Sequence, residues 1–167
     1  LSQGYPDFDC APELRALFCK YINSGYNQYP PMAGIMSLRE AIAEKMHSLY
    51  GATRKPSPGM LKGLDALVYD LQDTGVRAYT FISTMGLAME ACAEAGIDFV
   101  VLDRPNPLGG CRVEGPMVEP RFRSFVSQWP VPYVYGMTCG ELARMINGER
   151  WISRPCRLTV VPMVNWH

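Results

Sequence analysis

Two short apolar runs, with one helix-length amphipathic segment between them, constrain this chain more than any other feature. Residues 66–71 form the first run and residues 97–102 the second. Both are short, and both suit strands buried on the two faces of a parallel sheet. Between them Ile82, Met85, Met89 and Cys92 recur at helical spacing, which predicts a helix over 81–95 with Gly96 as its C′ residue. Strand, helix and strand in that order make a βαβ unit, whose strands run parallel with a right-handed crossover.

The sequence on either side is less regular. A linker rich in Pro, Ser and Lys covers 52–60, and a long loop covers 103–120. Residues 122–126 and 131–135 read as short strands, and 157–163 as one more. Thr138 and Glu141 form a capping box that opens a helix closing near Gly148. The first 50 residues have a different texture. An extended loop at 1–9 precedes a predicted helix at 11–23 carrying Leu14, Leu17, Phe18 and Tyr21, and a turn-rich stretch fills 24–34. Ser37 and Glu40 read as a second capping box, and the helix after it carries Leu38, Ile42, Met46 and Leu49, with Gly51 able to end it. The fold class is therefore α/β: a partial Rossmann-like parallel sheet with flanking helices over 51–167, preceded by a helical and loop segment over 1–50. No repeats or low-complexity tracts interrupt it.

Composition closes off several function classes. At 167 residues the chain is long enough for a domain with its own core. Its formal net charge is zero, so nothing asks for nucleic acid or an anionic membrane surface. No apolar run approaches the roughly 20 residues of a membrane span. The chain opens on Leu1, without the charged and apolar regions of a signal peptide, which leaves a cytoplasmic setting open. The six cysteines are scattered without a CxxC pair, so a zinc cluster is not expected, and Cys92 reads as a small core hydrophobe. Met85, Met89 and Met145 read as core filler. His47 and His167 are the only histidines, poor material for a Ser-His or Cys-His pair.

In an open α/β sheet, ligands sit beyond the carboxyl ends of the strands. That rule selects the loop 70–80, with Asp70, Gln72, Asp73, Arg77, Tyr79 and Thr80, and the loop 103–110, with Asp103, Arg104 and Asn106. Carboxylates accept from sugar hydroxyls, and arginines pair with a ligand carboxylate, so the set can bind a polyhydroxylated or acidic small molecule. The plainer alternative stands beside it: Asp103 and Arg104 as a loop ion pair, and Asp70 as a cap for the next helix. Glu114 is a lone loop glutamate, and Gly109-Gly110 is no phosphate loop, because no helix with Lys and Ser/Thr follows.

The segments LDALVYDLQDTGVRAYTFIST and VVLDRPNPLGG, with the continuation EGPMVEPRFRSFVSQWPVPYVYGMTCGELARMINGE, closely resemble the exo-acting β-N-acetylmuramidases, long catalogued as a domain of unknown function. The resemblance covers about residues 48–167. It implies a Rossmann-like domain followed by a smaller domain, with the active site in the cleft between them. It implies release of terminal N-acetylmuramic acid from peptidoglycan-derived muramyl sugars, no metal or organic cofactor, and export from the cell. By position it assigns Asp70, Gln72, Asp73, Arg77, Tyr79, Thr80, Asp103, Arg104, Asn106 and Glu114 to the sugar site, with an arginine facing the lactyl carboxylate.

This sequence also departs from that pattern. Family members carry a Gly-Pro-Glu-His-Gly motif upstream of the SLYG segment, whose glutamate is taken as the catalytic acid, and no Pro-Glu-His occurs here. Asp73 and Glu114 are left as weak candidates for a proton donor, and a chain inactive as it stands is expected. Before the join, QGYPDF, SGYNQYPP and LREAIAEK resemble the N-terminal piece of a class I aminotransferase that uses pyridoxal phosphate. The expectation is a chimera spliced near Leu49–Gly51, without the cofactor-bearing lysine. A parallel sheet missing neighbouring strands exposes edges and apolar faces, so marginal stability or self-association is expected.

Overall fold

The computed structural model describes residues 12–25, 36–43 and 46–166, and the chain divides into two compact units, 1–46 and 47–167. In the first unit, helix α1 spans Pro12–Asn23 and helix α2 spans Met36–Ala43. Helix α1 has Glu13 in its first turn and Lys20 in its last, which complements its dipole. Two expectations change here. Ser37 lies inside α2 rather than at its N-cap, and residues 46–50 are not helical, so Met46 and Leu49 belong to no helix. Residues 1–9 and most of the turn-rich stretch lie outside the described residues.

The second unit opens with a short helix α3, Pro58–Leu61, inside the expected linker. Ser57 caps it by accepting from the Met60 amide, and Pro58 sits at its first turn, where a missing N–H costs nothing. Strand β1 (Ala66–Tyr69), helix α4 (Phe81–Ala95) and strand β2 (Asp98–Leu102) then form the expected βαβ unit. Gly96 ends α4 at φ +70, where a residue with a Cβ would be strained. A second crossover follows through helix α5, Cys139–Gly148, into strand β5, Arg157–Val161. Between them lie the two-residue strands β3, Val113–Glu114, and β4, Val134–Tyr135, which pair antiparallel. The main sheet is parallel throughout, in the order β1-β2-β5, with Val68, Val100 and Thr159 in one register row.

Helices α4 and α5 pack on the same face of this sheet. Ile82, Met85 and Met89 of α4 meet Leu142 and Ile146 of α5 over Phe99 and Val101 of β2, all fully buried. Burying each such side chain contributes about 1.5–3 kcal/mol. The helices of the second unit leave the opposite face uncovered: Val68 is 56% exposed, and Leu102 and Val161 are exposed as well. This corrects the expectation of strands buried on both faces, because both described crossovers wind to one side. Met145 is likewise exposed rather than core filler, since it falls on the outer side of α5. Residues 122–126 form no strand. They hold the end of a 3-10 turn, Pro120–Phe122, and an isolated bridge between Ser124 and Ser127.

That irregular stretch is pinned by Trp129. Its indole is buried and donates to the Ile82 carbonyl at 2.9 Å, and its ring stacks on Trp151. The contact requires Gly86: a Cβ there would lie 2.0 Å from the Trp129 ring. Gly86→Ala should therefore destabilise the unit by about 1–3 kcal/mol through overpacking, read as a lower thermal midpoint with Trp fluorescence shifted toward the exposed state.

Candidate functional site

The carboxyl ends of β1 and β2 deliver the loops 70–80 and 103–110 side by side, and most of their polar groups are spent on hydrogen bonds within the protein. Gln72 donates from Nε2 to the carbonyls of Asp73 and Pro105, both at 2.8 Å, lacing one loop to the other. Asn106 is buried, donates to the Met137 carbonyl at 2.9 Å, and accepts from the Leu108 amide at 2.9 Å. Gly75 has φ +81, and a Cβ there would meet the Asn106 side chain at 2.2 Å, so the two loops touch where a side chain is missing.

Asp103 neither pairs with Arg104's guanidinium nor points free into solvent. Its carboxylate accepts from the Thr138 hydroxyl at 2.7 Å, the Gly140 amide at 2.8 Å and the Arg104 amide at 3.0 Å. It sits at the N-terminus of α5, where a negative charge is stabilised by free amides and the helix dipole. The Thr138–Glu141 capping box is formed as expected, with Glu141 accepting from the Thr138 amide at 2.9 Å. Arg104 instead binds Asp70, from Nε at 2.8 Å and Nη2 at 2.6 Å, in a pair that is half exposed. Asp70 therefore caps no helix.

Arg77 turns inward. It is 8% exposed, and its Nη1 donates to the Pro116 and Val131 carbonyls at 2.8 and 2.6 Å. Its backbone amide donates to the Tyr133 carbonyl at 2.7 Å. Its charge thus organises the irregular segment between β3 and β4. Tyr79 lies at the surface against Phe81, with ring centroids 4.6 Å apart. The Thr80 hydroxyl shares a hydrogen bond of 3.0 Å with the Tyr50 hydroxyl. Glu114 lies in β3 and is held by Arg112 through two bonds of 2.6 and 3.1 Å.

Asp73 is the buried carboxyl of the set, 4% exposed. Its Oδ2 accepts from the Gly75 amide at 2.8 Å and from the Tyr135 hydroxyl, while Oδ1 is buried without a partner. Burial raises its pKa, only partly offset by the bonds from Tyr135 and Gly75. Around it lie Tyr69, Tyr135 and Cys139, whose hydroxyls and thiol are all pushed up by burial first, Cys139 to about 12. Glu114 moves the other way: the Arg112 bond lowers its pKa and keeps it ionised at neutral pH. Sequence reasoning did not find Tyr135, Thr138 or Gly140 as partners of the loop carboxylates. The available signal was that a buried tyrosine hydroxyl must find an acceptor.

The sequence matches a known family. Residues 35–167 fit the model described as exo-β-N-acetylmuramidase NamZ, N-terminal. The chain belongs to this family. It is 54% identical over 121 residues to the peptidoglycan β-N-acetylmuramidase NamZ of Bacillus subtilis, covering 72% of this chain and 29% of that protein. A solved DUF1343 family protein from Bacteroides fragilis superposes with a TM-score of 0.70 at 62% identity, over 72% of this chain and 31% of that one. The chain thus spans about three-tenths of these relatives. A separate match, 51% identical over 51 residues, is to the methionine aminotransferase of Escherichia coli, covering 30% of this chain and 13% of that enzyme.

The buried Asp73 gives a test by pH. Its folded pKa lies above the unfolded value of about 3.9, so its favourable contribution is complete below that value and is lost as pH rises through the folded pKa. Asp73→Asn should flatten this fall, leaving the variant relatively more stable at pH 7 than at pH 4 when the two proteins' denaturant midpoints are compared.

Proposed function

We propose that this chain is a muramyl-sugar-binding piece of the exo-β-N-acetylmuramidase family that holds N-acetylmuramic acid at the carboxyl edge of its sheet without hydrolysing it. The observation that carries the reading is the state of the edge carboxyl groups. Cleavage of a glycosidic bond needs a protonated carboxyl placed on the leaving oxygen. Asp73 is the one with a raised pKa, and it is sealed from solvent behind Tyr135 and the Gly75 turn. Glu114 is exposed but ionised by Arg112, and Asp70 is paired with Arg104. No Pro-Glu-His occurs in this stretch to supply another acid.

What remains exposed can hold a sugar. Asp70, Gln72, Arg104 and Tyr79 present acceptors, donors and an aromatic face along one edge, with the half-buried Thr80 hydroxyl, bonded to Tyr50, beside them. Arg104 is the guanidinium suited to the lactyl carboxylate, exchanging its exposed Asp70 partner for the ligand. Residues 51–167 are the muramidase-family part in this proposal, and 1–50 an aminotransferase-derived segment joined near Leu49–Gly51. The source of the ligand is peptidoglycan turnover, and no cofactor takes part.

Calorimetric titration with N-acetylmuramic acid should show micromolar binding that Arg104→Ala weakens about tenfold, some 1.4 kcal/mol. A chromogenic β-N-acetylmuramide should release no chromophore. Turnover abolished by Asp73→Asn or Glu114→Gln would instead place the acid in this chain, and absence of any sugar binding would leave a fusion product without a sugar role. The uncovered face bearing Val68, Leu102 and Val161 adds self-association to the proposal. Sedimentation should show a species heavier than one chain, and Val68→Lys should return it to the monomer.

A further inference from the structure

The strands of the parallel sheet all end at one edge, yet the sugar reading above uses only the loops after β1 and β2. The chain after β5 reaches the same edge. The Asp103 amide donates to the Val161 carbonyl at 3.1 Å, so the end of β5 is tied to the first residue of the loop that carries Arg104. Past it, Trp166 lies against the other end of that loop. Its Cζ2, Nε1 and Cε2 atoms stand 3.5, 3.8 and 3.9 Å from the position a Cβ on Gly110 would take.

The local sequence accounts for this placement. Asn165 takes φ +63, a left-handed conformation that asparagine accepts more readily than most residues, and it turns the chain ahead of the indole. On the opposing side, the Gly109 amide closes a turn onto the Asn106 carbonyl at 2.9 Å, and loop 103–110 ends in Gly109 and Gly110, two residues without side chains. The indole rests on that bare backbone. Trp166 is no part of the buried cluster that holds Trp129 and Trp151, and it stays partly exposed. Among the described residues its ring has no aromatic or guanidinium partner, and its indole N–H has no acceptor.

We propose that Trp166 is a stacking platform for the pyranose ring of the sugar held at this edge. The inference rests on the sugar-binding reading above. The C–H-bearing face of a pyranose is apolar and weakly positive, and it meets the negative face of an aromatic ring. An indole offers the largest such face among the side chains, and its N–H can donate to a ring substituent. Recognition is then divided: Arg104 reads the lactyl carboxylate, and Trp166 reads the ring itself, which any N-acetylhexosamine shares.

Calorimetry on the full chain with N-acetylmuramic acid and with N-acetylglucosamine, which lacks the lactyl carboxylate, separates these roles. Trp166→Ala should weaken binding of both sugars about tenfold, and Trp166→Phe by less, whereas Arg104→Ala should weaken only the acid. Gly110→Leu, which pushes the indole off its seat, should reproduce the Trp166→Ala loss with the indole still present. Sugar should also alter the tryptophan emission of the unsubstituted chain. That change should vanish in Trp166→Phe while the thermal midpoint stays where it was, because Trp166 lies outside the core. Unchanged sugar affinity in Trp166→Ala, with Arg104→Ala still weakened for the acid, would overturn the platform and leave the edge site standing. No binding of either sugar by the unsubstituted chain would sink the edge site and the platform with it.

Discussion

The Asp103 carboxylate ties the end of the central strand to the start of the helix that follows it. It accepts from Thr138 and from the amide of Gly140, 37 residues further along the chain. The approach is close enough that a Cβ on Gly140 would lie 2.7 Å from the carboxylate and 2.5 Å from Val160 of β5. Three parts of the unit are therefore fixed at one point: the β2 loop, the α5 N-terminus and the neighbouring strand. Once they are fixed, Asn106 reaches Met137, Gly75 seats against Asn106, and Gln72 spans from one loop to the other. The shape of the carboxyl edge follows from this one charge–dipole contact.

A consequence is a division of labour among residues that look alike in sequence. Asp70, Asp73 and Asp103 are all carboxylates at strand ends, yet one is exposed and paired, one is buried and partly unsatisfied, and one is a helix cap. Arg77 and Arg104 differ in the same way. The first spends its guanidinium on carbonyls inside the protein, where removing it would strand buried acceptors, and the second stays at the surface. The loop motif thus encodes a scaffold as much as a site.

Local signals were the legible ones. The period of Ile82, Met85, Met89 and Cys92, the glycine after that helix, and the Thr138–Glu141 box each act within a few residues, and each appears in the structure as read. The roles of Asp103, Arg77 and Asp73 depend on partners 35, 54 and 62 residues away, and no spacing rule reaches that far. The stretch 122–126 misled for a different reason: Phe122, Phe125 and Val126 suggest a strand by residue type, but Phe122 and Val126 are exposed and the stretch makes only an isolated bridge between Ser124 and Ser127. Met145 shows the limit of pattern reading on a helix whose outer side also carries apolar residues.

The aromatic layer over α4 connects these two scales. Gly86 lets Trp129 lie on the helix, Trp129 stacks Trp151, and Trp151 follows the left-handed Arg150 at the end of α5. Trp129 shares one buried cluster with the Met, Leu and Ile side chains of the helix–helix core. What the layer adds is position: it fixes an irregular segment, rich in proline and arginine, against a rigid helix. Loops carry recognition best when a rigid element holds them. Here that element is the same helix whose N-cap, Thr80, borders the carboxyl edge of the sheet, so one rod positions both that edge and the aromatic layer.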